Sequence, residues 1–442
     1  MINDTLHAAY GDSGPYVEML QLALTRADTN PGFIDGRFGP ATYRALITFQ
    51  KRNGLTPDGI LGPKTAQALT PYLTGYVPVT VRAGDTFYRL ARKYGTTTEA
   101  IIAANPSVNP LNLSVGTELT IPLNFSIVPT SISYTYLLTR YCLEGLAARY
   151  PFIRLSVIGT SILGRNLYVA GIGAGSHQVL YNASHHANEW ITTPVLLKFL
   201  EDYAQAYSTG GNIYDTEAEQ LFAESRISIV PLVNPDGVDL VTGAIQSGPS
   251  YQEALAISRN YPEISFPSGW KANIVGTDLN LNYPAQWERA REIKFEQGFT
   301  SPAPRDYVGT GPLSAPESSA LYQYTLENNF SLTLSYHTQG QVIYWKFADY
   351  NPPGALEIGR LFSQLSGYAL ETTPYASGFA GYKDWFIQNY NRPGYTMECG
   401  LGENPLPVTQ FPKIYRDNLG VLVTGARPQI SILPAAQQET AP

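Results

Sequence analysis

Histidine is rare in this chain, and three of its five histidines lie in two apolar segments. His186 and Glu189 are three residues apart in YNASHHANEW, and His337 lies far along the chain in LSYHTQG. The short spacing lets one turn present an imidazole and a carboxylate to a single metal ion, with a third ligand from a distant strand. Three such ligands with one open position make a hydrolytic zinc site. The alternative is a set of hydrogen-bonded core histidines and a glutamate favoured in the first turn of a helix.

The segments that carry these residues belong to a region where apolar runs alternate with helical patterns. Four apolar runs are predicted strands: 167–173, 179–184, 226–234 and 332–338. Stretches between them, such as ITTPVLLKFLEDYAQAY and SSALYQYTLENN, are predicted helices. This alternation predicts one α/β domain with a mostly buried central sheet, with His186 and His337 near strand ends. Because neighbouring side chains on a strand point to opposite faces, we expect His185 to pack rather than to bind metal.

The order of motifs in this region resembles the zinc carboxypeptidase superfamily, the carboxypeptidase A-like metallopeptidases. The matching strings are, in chain order, LGRNLYVAGIG, YNASHHANEWIT, VNPDGVDL, WKANIVGTDLNLN, SYHTQ, YASGFAGYKDW and PGYTMECG. The resemblance implies a carboxypeptidase-like mixed sheet flanked by helices in residues 130–430. It also implies one catalytic zinc ion, with His186, Glu189 and His337 as its ligands.

The resemblance further implies catalytic and substrate-binding roles. Glu398 matches the general base, which takes a proton from the zinc-bound water and later delivers it to the leaving amine. Asn280 matches a residue that contacts the substrate near the scissile group, and Tyr375 matches a mobile, substrate-contacting tyrosine. Superfamily members stabilise the oxyanion with an arginine that follows a tryptophan, whereas Lys271 follows Trp270 here. Lysine offers a compact charge without a fork, so Lys271 is either its replacement or a solvated surface lysine.

One departure from the superfamily concerns the end of the substrate. The superfamily string Asp-x-Asn-Arg-Asn carries an arginine that binds the substrate's terminal carboxylate, but residues 278–282 read DLNLN, with Leu281 at that position. Leucine cannot pair with a carboxylate. The departure fits the branch of γ-D-glutamyl-diamino acid endopeptidases, which cut peptidoglycan stem peptides. The alternatives are a wall-tethered metallocarboxypeptidase acting on peptides and a wall-binding protein with a decayed enzyme domain; the complete set of ligands and base counts against the latter.

Two small modules precede the peptidase-like region. DGRFGPATYRAL at 35–46 recurs as DGILGPKTAQAL at 58–69, with a proline at the first position of each predicted helix. This repeat resembles the three-helix peptidoglycan-binding domain and covers residues 8–72. Residues 76–124 are predicted to form a strand–helix–helix–strand unit, and their string VRAGDTFYRLARKYGTTTEAIIAANP resembles a LysM module. The resemblances imply peptidoglycan glycan and stem peptides as partners.

Composition excludes several classes of protein. The net charge is −7 without a basic stripe, which argues against nucleic-acid binding. The chain lacks an apolar run of about 18 residues, so no membrane span is predicted. Its start, MINDTLHAAYGDSG, has no signal-peptide pattern; we expect a cell wall-associated or extracellular protein with an unassigned export route. Cys142 and Cys399 are predicted to be buried thiols, with a single bridge as the alternative, and the tail 434–442 is predicted to be disordered.

Overall fold

The computed structural model describes residues 6–432, so the predicted disorder of the tail lies outside the described residues. The chain divides into two compact units, one that ends at Leu155 and one that begins at Ser156. None of the helices in residues 6–432 combines the length and the apolar character that a bilayer crossing requires. Cys142 and Cys399 are both buried thiols, as expected.

The N-terminal unit begins with three short helices, each of which starts at a proline. They are α1 (Pro15–Arg26), α2 (Pro40–Arg52) and α3 (Pro63–Thr74). Proline is favoured there because the first helical residue needs no amide hydrogen bond. The two Gly-Pro pairs of the repeat therefore start α2 and α3, as the sequence predicts.

Each half of the repeat closes around a buried glutamine that the sequence pattern alone does not reveal. The Nε2 atom of Gln21 donates to Asp35 Oδ1 (2.9 Å) and Thr42 Oγ1 (3.1 Å), and its Oε1 accepts from Gly36 N (2.9 Å). The second half repeats this arrangement with Gln50, Asp58, Thr65 and Gly59. The repeated Asp-Gly and Thr positions satisfy a buried amide, which explains why they recur together.

The next module has the predicted strand–helix–helix–strand order. Its elements are β1 (Tyr76–Thr80), α4 (Phe87–Tyr94), α5 (Thr98–Ala104) and β2 (Glu118–Pro122). The hydroxyls of Thr86 and Thr97 cap α4 and α5, and β1 pairs with β2 in antiparallel register. One further helix, α6 (Tyr136–Arg149), also falls within this unit.

The C-terminal unit is built on an eight-stranded sheet. In chain order, its strands are β3 (Arg154–Thr160), β4 (Asn166–Ile172), β5 (His177–Ala183), β8 (Ser225–Val230), β9 (Leu332–His337), β10 (Val342–Tyr344), β11 (Ala369–Glu371) and β12 (Gly394–Glu398). Strands β6 (Asn212–Ile213) and β7 (Thr216–Glu217) form a separate small hairpin between β5 and β8. The helices are α7 (Thr192–Thr209), α8 (Ala218–Glu224), α9 (Pro235–Thr242), α10 (Pro249–Ser258), α11 (Trp287–Glu296), α12 (Pro316–Leu326), α13 (Ala355–Ser366), α14 (Tyr382–Tyr390) and α15 (Phe411–Gly425).

The sheet is mixed and its middle strands are parallel. The strand order is β11-β10-β12-β9-β5-β8-β4-β3. Strands β8, β5, β9 and β12 run parallel, whereas β4 pairs antiparallel with β8 and β10 with β12. Every residue of β9 is buried, which is typical of a strand covered on both faces. The four predicted strands correspond to β4, β5, β8 and β9.

Candidate active site

The parallel middle strands bring their carboxyl ends to one edge of the sheet. His337 is the last residue of β9 and lies in register with Glu398, the last residue of β12. The neighbouring strand β5 ends at Ala183, and the chain then turns through His186 into a short 3-10 helix that ends at Glu189. The predicted zinc ligands, the predicted base and the strand ends therefore meet at the edge where α/β sheets commonly hold their sites.

Buried hydroxyl groups fix the turn after β5. Ser184 adopts a positive φ of 53°, and its amide donates to Thr192 Oγ1 (3.1 Å). The Ser184 hydroxyl lies 2.9 Å from Thr193 Oγ1, and Thr192 Oγ1 donates to the carbonyl oxygen of Glu189 (2.8 Å). These bonds hold the turn so that His186 and Glu189 project to the same side.

Three potential ligand atoms converge at this edge. The Nδ1 atoms of His186 and His337 lie 3.2 Å apart, and each is 2.9 Å from a different carboxylate oxygen of Glu189. All three side chains are buried. Zinc bonds of about 2.0–2.1 Å at tetrahedral angles separate ligand atoms by roughly 3.4 Å, so this donor set fits a zinc ion. Within the described residues it is the one cluster of metal-ligating side chains of this kind.

Neighbouring groups orient the two imidazoles. Asp278 Oδ1 lies 3.2 Å from His186 Nε2. The ring of His185 stacks on that of His337, with centroids 5.6 Å apart, and its Nε2 lies 3.0 Å from the Tyr283 hydroxyl. Such contacts fix the tautomer and direction of a ligating histidine. His185 thus packs behind the cluster, as expected. Asp278 contacts His186, and the sequence motifs predict no role for it.

The electrostatics of the cluster favour a bound cation. Burial by itself raises the pKa of Glu189, but His186 and Lys271 outweigh it and hold that pKa well below its usual range. Burial also opposes protonation of His186, yet Glu189 and Asp278 raise its pKa to about 9. Two ionised carboxylates thus stabilise positive charge at the imidazoles, and a metal ion would supply that charge directly.

Lys271 lies beside Glu189, one of the predicted zinc ligands. Its Nζ is 3.2 Å from Glu189 Oε1, and it follows the fully buried Trp270. The backbone of Lys271 donates to Pro304 O (2.7 Å) and accepts from Ala187 N (3.0 Å). These contacts hold Lys271 at the site, in contrast to the alternative of a solvated surface lysine.

Glu398 lies partly buried at the end of β12. It lines the same cavity as His186 and Lys271. Burial, together with the negative charge of Glu189, raises the pKa of Glu398 to about 8. A carboxyl group with a pKa near neutrality can both accept and return a proton, which is the requirement for general acid–base work.

Two cavities meet at Glu398. The Leu281 cavity is lined by residues that include His186, Asp278, Asn280, Leu281, Lys294, Asp306, Lys383 and Asp384. The Asn188 cavity is lined by residues that include Asn188, Glu263, Ser268, Thr338, Gln339 and Glu403. Four residues line both cavities: Lys271, Arg305, Tyr344 and Glu398. A substrate chain that reaches Glu398 therefore has room on both sides of the reacting bond.

Asn280 and Leu281 form part of the first cavity. Asn280 Oδ1 accepts from Tyr382 N (3.1 Å), and its Nδ2 atom makes no hydrogen bond within residues 6–432, so it can face a substrate. Leu281 is 7% exposed. Its side chain packs in an apolar cluster with Trp287, Ala290, Val308 and Ala380. The wall of this cavity is apolar where an arginine would be needed to hold a carboxylate.

The structure does not place Tyr375 beside the other predicted site residues. Its side chain is 63% exposed, and its hydroxyl accepts from Arg289 Nε (2.8 Å). Its neighbours Pro374 and Ser377 line the Leu281 cavity, but Tyr375 itself lines a different cavity with Arg289 and Phe379.

The sequence motifs predict no role for several charged residues at the site. Lys294 Nζ and Arg305 Nε each lie 2.6 Å from the Asp306 carboxylate. Lys383 Nζ lies 2.7 Å from Asp384. Lys383 and Asp384 lie inside the string YASGFAGYKDW, whereas Lys294, Arg305 and Asp306 lie outside the strings that carry the family resemblance. Only the fold brings them to the cavity.

Comparison with known families agrees with this geometry. The family described as zinc carboxypeptidase (peptidase M14) matches residues 139–420. The chain belongs to this zinc carboxypeptidase family. Outside that match, a peptidoglycan binding domain matches residues 13–69 and a LysM domain matches residues 79–122. The family resemblance inferred from the motifs is confirmed, as is the presence of both N-terminal modules.

Relatives of this peptidase include a named endopeptidase and an uncharacterized protein. The chain is 42% identical over 306 residues to γ-D-glutamyl-L-diamino acid endopeptidase 1 of Lysinibacillus sphaericus, an alignment that covers 69% of this chain and 74% of that protein. It is 40% identical over 277 residues to the uncharacterized protein YqgT of Bacillus subtilis (strain 168), with 62% of this chain and 72% of that protein covered.

Solved structures confirm the carboxypeptidase-like fold. Thrombin-activatable fibrinolysis inhibitor superposes with a TM-score of 0.54 at 18% identity, covering 81% of this chain and 99% of that one. Carboxypeptidase A of Helicoverpa armigera superposes with a TM-score of 0.51 at 19% identity, covering 76% of this chain and 79% of that one. The predicted fold class, a mixed sheet flanked by helices and preceded by two small modules, is therefore correct.

Proposed function

We propose that this zinc-family peptidase hydrolyses the γ-D-glutamyl–diamino acid bond in peptidoglycan stem peptides. The observation that carries the proposal is the buried Leu281 in the wall of the cavity that also contains His186 and Glu398. A carboxypeptidase of this superfamily holds the terminal carboxylate of its substrate with an arginine at the position of Leu281, and an endopeptidase needs no such arginine. The 42% identity to an enzyme named for this bond supports the same conclusion.

The catalytic roles follow from the groups at the strand ends. One zinc ion held by His186, Glu189 and His337 would acidify a bound water and polarise the scissile carbonyl. Glu398 takes the proton of that water and passes it to the leaving amine. Lys271, with its ammonium group beside Glu189, adds positive charge where the carbonyl oxygen becomes an oxyanion.

The Leu281 cavity receives the leaving diamino acid. Two ion pairs line it, Lys294 with Asp306 and Lys383 with Asp384, and all four charged groups are largely buried. Such a lining suits a zwitterionic side chain, which can pair with both signs of charge, better than an apolar one. The free Nδ2 atom of Asn280 is available to bind the substrate near the reacting bond.

The N-terminal modules hold the enzyme on its substrate. The peptidoglycan-binding and LysM domains support association with the bacterial cell wall. Binding to the insoluble polymer raises the local concentration of the peptidase near stem peptides.

Digestion of a defined muropeptide tests the proposal. Wild-type protein loaded with zinc is incubated with L-Ala-γ-D-Glu-diaminopimelate-D-Ala, once with a free C-terminus and once as the C-terminal amide. We expect both peptides to be cut after D-Glu, with the products identified by mass. Release of C-terminal residues alone, together with resistance of the amide, would instead establish a wall-tethered carboxypeptidase. No hydrolysis of any peptide by zinc-loaded protein would support the decayed enzyme.

A further inference from the structure

Arg305 is a charged residue at the site whose hydrogen-bonding capacity is largely unused. Its Nε lies 2.6 Å from Asp306 Oδ2, and Lys294 holds the other oxygen of that carboxylate at 2.6 Å. The two terminal nitrogens of Arg305 make no hydrogen bond with any residue in 6–432. Its side chain is 44% exposed. The guanidinium group is therefore oriented at one edge and open to a ligand at the other.

The position of Arg305 places these open nitrogens near the reacting bond. Arg305 lines both the Leu281 cavity and the Asn188 cavity, as do Lys271 and Glu398. Because Glu398 is the proposed base, the residues that line both cavities border the bond that is cut. Leu281 marks the leaving side, so the Asn188 cavity lies on the acyl side.

The charges around the Asn188 cavity single out Arg305 as its anion-binding group. The carboxylates that line this cavity belong to Glu263, Glu398 and Glu403, and the cations to Lys271 and Arg305. Lys271 is already paired with Glu189 at 3.2 Å. Among the described residues that line the cavity, Arg305 is thus the cation that presents two open terminal nitrogens side by side, whereas the Lys271 ammonium lies against a proposed zinc ligand. An anion that enters among three carboxylates needs such a partner.

The acyl side of a γ-linked glutamyl residue carries such an anion. A γ-linkage uses the side-chain carboxyl for the peptide bond and leaves the α-carboxylate free, a short aliphatic chain away from the scissile carbonyl. We infer that Arg305 binds this free α-carboxylate through its terminal nitrogens, in the planar, paired geometry that guanidinium and carboxylate favour. This inference rests on the proposed function and names the residue that distinguishes a γ-D-glutamyl donor from an ordinary peptide.

Paired substrates test the inference directly. The first is L-Ala-γ-D-Glu-diaminopimelate, the second has the glutamyl α-carboxylate converted to the amide, and the third has the amide instead on the leaving residue's carboxylate next to the cut bond. The proteins are zinc-loaded wild type, Arg305→Gln, Arg305→Lys and the matched control Arg360→Gln, which changes an exposed arginine on α13. Thermal unfolding and zinc content are measured for each, and kcat/KM is compared.

We expect wild type to prefer the free α-carboxylate over its amide by roughly 10- to 100-fold, the range of a charge-assisted hydrogen bond. Arg305→Gln should lose that preference by slowing only the carboxylate substrate, Arg305→Lys should retain part of it, and Arg360→Gln should behave as wild type. Equal rates of wild type on the first two substrates would overturn the inference while leaving the proposed function intact. The inference would also be overturned if Arg305→Gln lowered kcat/KM equally on the first two substrates, or if it changed kcat/KM only for the substrate with the leaving-side amide. Failure of wild type to cut any of them would overturn both.

Discussion

At the scale of single residues, His337 is the proposed metal ligand at the end of the central strand β9. We expect His337→Ala to lose most of the bound zinc and all activity, because Glu189 and His186 alone offer too few ligands for tight binding. Zinc content of the purified protein and muropeptide hydrolysis are the measurements. His7→Ala, which removes an exposed histidine of the N-terminal unit, is the matched control. Stoichiometric zinc in the same place in His337→Ala would contradict the ligand assignment.

Glu398 is expected to act on the water rather than on the metal. Glu398→Gln preserves the size of the side chain but cannot take a proton, so it should keep its zinc and lose at least ~10²-fold in turnover. The test compares kcat and zinc content with those of wild type and of Glu371→Gln, a change on the edge strand β11. Near-normal turnover in Glu398→Gln would assign the base to another group.

At the scale of elements, a buried carboxyl group links α12 to the loop that carries Lys271. Glu317 Oε1 accepts from Ile162 N and its Oε2 from Asn273 Nδ2, both at 3.2 Å. The carbonyl oxygen of Asn273 in turn accepts from the indole of Trp270 (3.0 Å). Glu317 is completely buried, so its ionisation state affects how firmly this loop is held.

This carboxyl group predicts a pH dependence of stability. Burial, with Asp236 nearby, raises the pKa of Glu317 from 4.5 to about 7. The unfolded chain therefore releases this proton at lower pH than the folded chain, and stability should fall as pH rises from about 4.5 through 7, by about 3 kcal/mol. Unfolding midpoints of wild type and Glu317→Gln are compared between pH 5 and 8. The wild type should lose stability relative to the variant over this range, and a constant difference would contradict the prediction.

Local patterns identified most of these elements but not their partners. The Gly-Pro pairs that start α2 and α3, and the apolar runs of β4, β5, β8 and β9, depend on neighbouring residues and could be predicted from the sequence. The bond from Glu317 to Ile162 spans 155 residues. Its existence depends on how α12 packs, and no local propensity contains that information.

At the scale of the whole molecule, the N-terminal unit should bind the cell wall by itself. This unit extends to Leu155, because α6 packs within it. Gly145 of α6 lies against the carbonyl oxygen of Thr74, where a Cβ would be 1.9 Å away. Arg149 donates to the carbonyl oxygens of Leu123 and Phe125. A chain of residues 1–155 is therefore better suited to the test than one that ends before α6.

We expect residues 1–155 to sediment with peptidoglycan sacculi, whereas an unrelated protein of similar size should not. Added in excess, this fragment should slow digestion of sacculi by the full-length enzyme, since both compete for glycan, and should not affect hydrolysis of a soluble muropeptide. Release of peptide from sacculi is followed by mass. Unchanged digestion of sacculi at saturating fragment would contradict a targeting role.

The sequence by itself determined the family, the two wall-binding modules and the order of the chemically active strings. These properties depend on short motifs, such as the spacing of His186 and Glu189 or the DLNLN string that contains Leu281. A short motif consists of residues close together in the chain, so the sequence alone is enough to recognise it. Tertiary structure alone decided that His337 lies in register with Glu398, that Lys271 pairs with Glu189, that Tyr375 bonds to Arg289, and that Arg305 lines both cavities. Each of these arrangements depends on strand order, register and loop packing between residues far apart in the chain. A local sequence pattern is compatible with many strand orders and registers, and only the assembled sheet selects one of them.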